Sequence, residues 1–246
     1  MRLSAGIIHL NMLELERVRS LDKSIEELFS FKGIQEAETL QRILSERVIL
    51  EDRFSSLGLI GGADTSFSKN GKALSVIVVM RCPSMEIVEV SYYSAVESFT
   101  YIPGFLSFRE GPIIMRAWER LKNKPDLLLV DGQGYAHPRN LGIASHLGVA
   151  LDIPTIGCAK SLLVGNFKEP DSSKGSMSPI FYKGKKIGVA LRTRDNVKPV
   201  FVSPGHKVSF ETSVEVVMNS TTKYRLPEPL RYAHQYSKSI LKGENL

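Results

Sequence analysis

Between Leu59 and Val96 the chain carries three apolar runs of strand length with only short links between them. Leu59 to Phe67 holds Gly61, Gly62 and Asp64. Ala73 to Cys82 contains the unbroken run Val76-Ile77-Val78-Val79-Met80. Pro83-Ser84 turns the chain, and Glu86 to Val96 returns. Links this short cannot make a parallel crossover, so the three runs are expected to form an antiparallel meander. The middle run has no polar alternation, which suits a strand covered on both faces.

Helical patterns flank the meander. Ser24-Ile25-Glu26-Glu27 has the form of a capping box opening a short helix. Ile34, Ala37, Leu40, Leu44 and Val48 recur at helical spacing, with Glu36, Glu38, Arg42 and Glu46 between them. An aromatic-rich loop is expected from Glu97 to Arg109. A helix is then expected from Gly111-Pro112, where proline suits the first turn. Asp126 to Asp131 reads as a short buried strand broken by Gly132-Gln133-Gly134. A helix from about Asn140 to Leu151 and a strand from Thr155 to Ala159 follow. Phe181 to Lys186 suggests a hairpin turn, and Ile187–Arg192 with Val200–Ser203 a second hairpin. Val208 to Asn219 reads as the final helix-like stretch. The order βββ-α-β-α-β predicts an α/β fold, a mixed β-sheet flanked by helices. In such sheets the carboxyl ends of parallel strands gather functional groups.

The 246 residues, 43% of them hydrophobic, are enough for one well-filled domain, and there is no repeat or low-complexity tract. The formal net charge of +6 and the pI near 9.2 suit a polyanionic partner. They equally suit an ordinary basic soluble protein. Cys82 and Cys158 sit in apolar runs without metal-type spacing, so a reduced, cytoplasmic chain is expected. No apolar stretch is long enough to span a membrane, and the weakly apolar start from Met1 is not read as a signal peptide.

Three carboxylates stand out. Asp64 lies inside an apolar strand, where aspartate is disfavoured and a buried unpaired carboxylate is costly. It needs a partner, and a cation is a natural one. With period two, Gly62, Asp64 and Ser66 share one face, and the glycine leaves room for a ligand or another backbone. Asp131 ends a strand just where the chain turns, although Asp131-Gly132 also reads as a plain turn. Glu110 precedes Gly111-Pro112, at an expected helix N-terminus whose dipole would favour its ionised form; a mere helix-end charge is the alternative. Hard oxygen ligands drawn from separate elements suit Mg²⁺. Residue types and spacing alone reach no further than a carboxylate metal site.

From about Asp52 to Tyr236 the chain resembles the endonuclease V family. The resemblance rests on Gly62-Ala63-Asp64-Thr65-Ser66-Phe67, the run Tyr101 to Glu110, the run Asp126 to Arg139, Gly157-Cys158-Ala159-Lys160-Ser161, Ser203 to Val208, and Tyr224-Arg225-Leu226-Pro227-Glu228-Pro229. It implies a ribonuclease-H-like fold. It also implies Mg²⁺-dependent hydrolysis of DNA containing deoxyinosine, at the second phosphodiester bond 3′ to the lesion, to initiate repair. Mn²⁺ is expected to substitute for Mg²⁺. The alternatives are an inosine-specific endoribonuclease acting on RNA and a non-catalytic lesion-binding protein. A monomer with no membrane partner is the default. Residues 1–22 form an extension beyond the resemblance, and 23–246 the single family-like domain.

The resemblance also assigns roles. Asp64 and Asp131 look like metal ligands, with Glu110 completing the acidic site. Lys160 looks like the active-site lysine near the scissile phosphate. His234 stands where family members carry His or Asp. Imidazole is a poor Mg²⁺ ligand, so a supporting or water-positioning role is expected, with a lone surface histidine as the alternative. Tyr101, Ile102 and Pro103 resemble the wedge that fills the gap left by a flipped nucleotide. The family usually has proline before the tyrosine, and here it is Thr100. Gly104, Leu106, Gly132, Gly142 and Ile143 would line the base pocket through backbone groups, with Gly142 readable also as a helix start. His137 and Arg139 would lie near that pocket or near phosphate. Arg192, Arg194, Lys198 and Lys207 are expected to follow the nucleic-acid backbone, or else to form a solvated basic face.

Overall fold

The computed structural model describes residues 25–96 and 100–243. The expected extension over residues 1–22 and the capping residue Ser24 lie outside these. The helix that Ser24 would open is present as α1 (Ile25–Leu28), and the amphipathic pattern after it forms α2 (Ile34–Ser45). The three apolar runs form β1 (Leu59–Phe67), β2 (Lys72–Arg81) and β3 (Glu86–Val96), paired antiparallel as a meander.

Then follow α3 (Leu106–Glu119), β4 (Leu127–Val130), α4 (Ile143–Leu151) and β5 (Thr155–Ala159). The hairpin of β6 (Met177–Tyr182) and β7 (Lys185–Leu191) leads to β8 (Val200–His206), and α5 (Phe210–Asn219) and α6 (Glu228–Lys242) complete the order. One eight-stranded sheet results, in the order β3-β2-β1-β4-β5-β8-β7-β6. β4 runs parallel to β1 and to β5, and the other neighbours are antiparallel. The expected mixed sheet and the βββ-α-β-α-β order are both present.

Alternation along the strands explains the layers. Leu74, Val76, Val78, Met80, Leu127 and Leu129 pack on one face with Val216, Val217, Leu230 and Ala233 from α5 and α6. Ile77, Val79, Leu128 and Val130 pack on the other with Ile114, Met115, Ala144 and Leu147 from α3 and α4. A sheet covered on both sides needs no polar alternation, and β2 is accordingly buried from Ala73 to Met80.

Three expectations need correction. The helix expected from Gly111-Pro112 starts earlier, at Leu106, and Pro112 lies inside it. Phe105 and Phe108 pack with Leu40 and Leu44 of α2 and with Leu141, and this burial draws the extra turn into the helix. Glu110 therefore sits within α3, not at its start. Val208–Asn219 is not the last helix either, because α6 follows. Pro227 and Pro229 read as breakers in sequence, but Pro229 falls in the first turn, where its missing N–H costs no helical hydrogen bond. The third correction concerns Arg192, which is buried and does not reach a nucleic-acid surface. Its guanidinium is held by Glu169 and by the carbonyls of Pro170, Asp171 and Val197.

Candidate active site

The face of β1 bearing Gly62, Asp64 and Ser66 meets α6. A Cβ on Gly62 would lie 2.3 Å from the carbonyl carbon of Pro229, so the glycine makes room for another backbone. This close approach brings α6 side chains onto the strand. Asp64 Oδ2 accepts from Ser237 Oγ at 2.9 Å and lies 3.2 Å from His234 Nδ1. Ser66 Oγ lies 2.7 Å from Ser237 Oγ. The costly buried carboxylate thus has polar partners from a helix far along the chain.

Parallel pairing of β1 with β4 sets the second carboxylate beside the first. Asp131 follows β4 directly, and its N–H donates to the Ala63 carbonyl at 3.0 Å. One ligand atom from each of Asp64, Asp131 and His234 falls within 4.8 Å of the other two. Lys160, one residue past β5, forms an ion pair with Asp131 Oδ2. Glu110, buried in α3, is not one of these three but lies within reach of the Asp64 and Asp131 charges. Its carboxyl shares a hydrogen bond with Thr65, on the opposite face of β1 from Asp64.

Titration behaviour follows from this crowding. Burial, then the charges of Asp64 and Asp131, push Glu110 up to about 8. This reverses the expectation that a helix dipole would favour its ionised form. Burial and the Asp64 charge raise Asp131 to about 6 against the pull of Lys160. Burial also opposes ionisation of Asp64. Hydrogen bonds with His234 and Asp131, and the charges of His234 and Lys160, outweigh it, so Asp64 lies below the usual carboxylate range. The cluster holds more carboxylate than its surroundings neutralise. Together with its hard oxygen donors, that fits a divalent cation.

A cavity of about 420 Å³ opens beside these residues. Tyr101, Pro103, Gly104, Leu106, Gly132, His137, Gly142 and Ile143 line it, together with Asp131 and Lys160. The expected pocket residues are therefore brought together, along with two of the three wedge residues. Ile102 instead packs against the cluster under α2. Tyr101 is 45% exposed at the rim. Gly142 caps α4, and a Cβ there would lie 2.3 Å from the Gln133 carbonyl oxygen, so the helix-start role and the pocket role coincide.

The loop after Tyr101 is held through one carbonyl. Gly104, at φ +83°, presents its oxygen to His137 Nε2, Arg139 Nη2 and Gln41 Nε2, each at 3.0 Å. His137 Nδ1 accepts from the Arg139 N–H at 3.2 Å, which makes Nε2 the protonated nitrogen. Burial, then the Arg139 charge, hold His137 neutral, its pKa lowered to about 4. Arg139 also donates to Gln41 Oε1 at 2.6 Å and to Glu38 Oε1 at 3.0 Å. Its guanidinium braces the loop against α2. Sequence reasoning missed Gln41, Glu38 and Ser237 as supporting residues. Nothing in their local pattern separates them from ordinary helix positions.

The family model for endonuclease V matches residues 42–235. The chain belongs to the endonuclease V family. Endonuclease V of Dictyoglomus turgidum is 56% identical over 218 residues, covering 89% of this chain and 95% of the relative. That of Rippkaea orientalis is 50% identical over 208 residues, covering 84% and 91%. The crystal structure of endonuclease V from Streptomyces avermitilis has a TM-score of 0.81 at 36% identity, covering 86% and 94%. A Ciona intestinalis endonuclease V has a TM-score of 0.75 at 32% identity, covering 85% and 98%. That structure is a complex with a 24mer DNA containing an inosine followed by a ribo-adenosine. This member of the endonuclease V family is thus a nuclease with a ribonuclease-H-like fold. No described helix is long and apolar enough to cross a membrane.

Proposed function

We propose that this nuclease hydrolyses DNA strands containing deoxyinosine, at the second phosphodiester bond 3′ to the lesion, with Mg²⁺ as cofactor. One observation carries the reading: the cavity suited to a flipped base is lined in part by Asp131 and Lys160, so base recognition and phosphodiester chemistry share an edge. The Ciona intestinalis relative, bound to inosine-containing DNA, supports the choice of lesion.

In this reading Asp64 and Asp131 hold the cation, which supplies Lewis-acid stabilisation of charge growing on the phosphate oxygens. His234 orients Asp64, as partners behind metal ligands commonly do. Lys160 exchanges its ion pair with Asp131 for the scissile phosphate, adding fixed positive charge where negative charge develops. Glu110, buried beside the pair, offers a further carboxyl that would ionise once a bound cation offset the charges of Asp64 and Asp131. Backbone groups of Gly104, Leu106, Gly132, Gly142 and Ile143 read the carbonyl and ring N–H that distinguish hypoxanthine from adenine. Tyr101 takes the place vacated in the stack.

The test is incubation of the purified protein with matched DNA and RNA strands carrying one inosine each, with Mg²⁺ or with chelator. The expected outcome is Mg²⁺-dependent cleavage of the DNA strand at the second bond 3′ to the lesion. Faster cleavage of the RNA strand would replace the proposal with an inosine-specific endoribonuclease. Binding without a Mg²⁺-dependent product would leave a lesion-binding protein.

A further inference from the structure

The segment from Thr193 to Pro199 and the segment from Lys223 to Arg225 meet beside Lys160. β8 runs antiparallel to β5 with Phe201 opposite Ala159, so residues just before β8 emerge at the strand end from which Lys160 leaves β5. Arg225 ties the pieces together. Its Nη2 donates to the Lys160 carbonyl at 3.0 Å and to the Pro199 carbonyl at 2.6 Å. Thr193 Oγ1 donates to the Arg225 carbonyl at 2.7 Å, and Arg194 Nη1 donates to the Lys223 carbonyl.

The cations here differ from the other basic residues singled out in the sequence. Arg192 is buried in its nest of carbonyls, and Lys207 is paired with Asp152 at 2.7 Å. Lys160, Arg194, Lys198 and Lys223 are exposed. Asp195 is the carboxylate of this stretch, and its Oδ1 accepts the Lys174 N–H at 2.6 Å. A strip of positive charge therefore continues outward from Lys160, fixed by backbone hydrogen bonds and bordered by the acidic cluster. The base cavity opens on the Lys160 side chain as well.

We infer that Lys223, Arg194 and Lys198, braced by Arg225, form a phosphate track for the strand on the 3′ side of the scissile bond. A strand whose inosine occupies the cavity passes Asp131 and Lys160 with its scissile phosphate. Its next phosphates then lie over the strip. This inference rests on the proposed function. The strip's charge, its continuity with the site and its fixed backbone suit a polyanionic strand.

The experiment measures binding of a labelled single-stranded oligonucleotide with one deoxyinosine, in chelator, across a series of salt concentrations. Lys223→Gln and Arg194→Gln should each make the slope of log affinity against log salt shallower by about 0.7, the value for one phosphate contact on a single strand. Arg194→Lys should keep the parent slope. So should Lys122→Gln, which precedes β4 at the opposite end of that strand from Asp131. Truncating the oligonucleotide 3′ of the cleavage position should weaken the parent more than it weakens either Gln variant. Parent-like slopes in both Gln variants would overturn the track, as would equal sensitivity to 5′ and 3′ truncation. Lesion discrimination is read from the same parent data. A parent that prefers the inosine strand while the Gln slopes stay unmoved refutes the track alone. A parent that does not discriminate refutes the functional reading, and its slopes on the undamaged strand still decide the phosphate contacts.

Discussion

His234 Nδ1 stands 3.2 Å from Asp64 Oδ2, although 170 positions separate the two residues in the chain. The contact exists because α6 packs backbone-close on β1 at Gly62. It turns a buried carboxylate, costly by itself, into an oriented oxygen close to Asp131.

The carboxylates and the histidine should separate in a metal titration. Asp64→Ala and Asp131→Ala are each expected to reduce cleavage below about 1% of the parent, because the cation loses a ligand. Binding of the inosine strand in chelator should persist. His234→Ala should cost about 10- to 100-fold, with the Mg²⁺ requirement shifted upward, as for partners behind a metal ligand. A parent-like rate in either Asp variant would remove that residue from the site.

Gly62→Ala tests the helix contact itself. The added methyl would sit 2.3 Å from the Pro229 carbonyl carbon and 2.6 Å from the Leu230 nitrogen, both backbone atoms. Overpacking of this kind costs about 1–3 kcal/mol. The shift of α6 should also lower activity by moving His234 and Ser237 away from Asp64. Urea denaturation midpoints together with cleavage rates check this. A stable, fully active variant would show that the two elements separate freely.

Tyr101→Ala should harm duplex substrates more than single strands. The ring is exposed at the rim of the cavity, where it can replace stacking in a duplex but has no gap to fill in an unpaired strand. Base–aromatic stacking is worth about 1–3 kcal/mol, so the duplex rate should fall roughly 5- to 160-fold relative to the single strand. Equal losses on both would assign Tyr101 to the pocket wall instead.

Stability should decline in mild acid through two buried imidazoles. His146 donates and accepts between Leu28 and Ser107, stacks on Phe29, and is held by burial down to about 3. His137 is held near 4 by burial and by Arg139. Both folded values lie below the unfolded value near 6.5, so the unfolded chain binds more protons between them. Their contribution is therefore full above about pH 6.5 and is lost as pH falls toward the folded values. By pH 5 each histidine should cost about 2 kcal/mol relative to pH 7. Denaturation midpoints at the two pH values measure this, and His146→Phe should flatten the dependence.

Much of the scaffold was legible because it is written in local periodicity. The meander, the short strand before Asp131, the strand before Lys160 and the late hairpins all follow from apolar runs punctuated by Gly, Pro and Asp-Asn. Asp64 was legible for the same reason, as a carboxylate breaking an apolar pattern. Where the reading failed, local rules met tertiary packing. Pro112 marked a helix start that the burial of Phe105 and Phe108 moved back to Leu106. Pro227 and Pro229 masked α6, whose apolar positions Leu230 and Ala233 are buried against the sheet.

The sequence by itself determined which residues face together along each strand and helix, and its motifs carried the family. Only the tertiary structure decided which faces meet. Glu110 has a raised pKa because α3 carries it, buried, within reach of the Asp64 and Asp131 charges and not at a helix start. Arg192 became a buried brace while Arg194 stayed exposed, because folded loop carbonyls surround only the first. Of the three carboxylates that stand out in the sequence, the fold brings Asp64 and Asp131 together and adds His234, with Glu110 buried within reach of both charges. Periodicity is a property of neighbours in the chain. A coordination cluster is a property of neighbours in space, and the parallel β1–β4 pairing and the α6 contact are what convert one into the other.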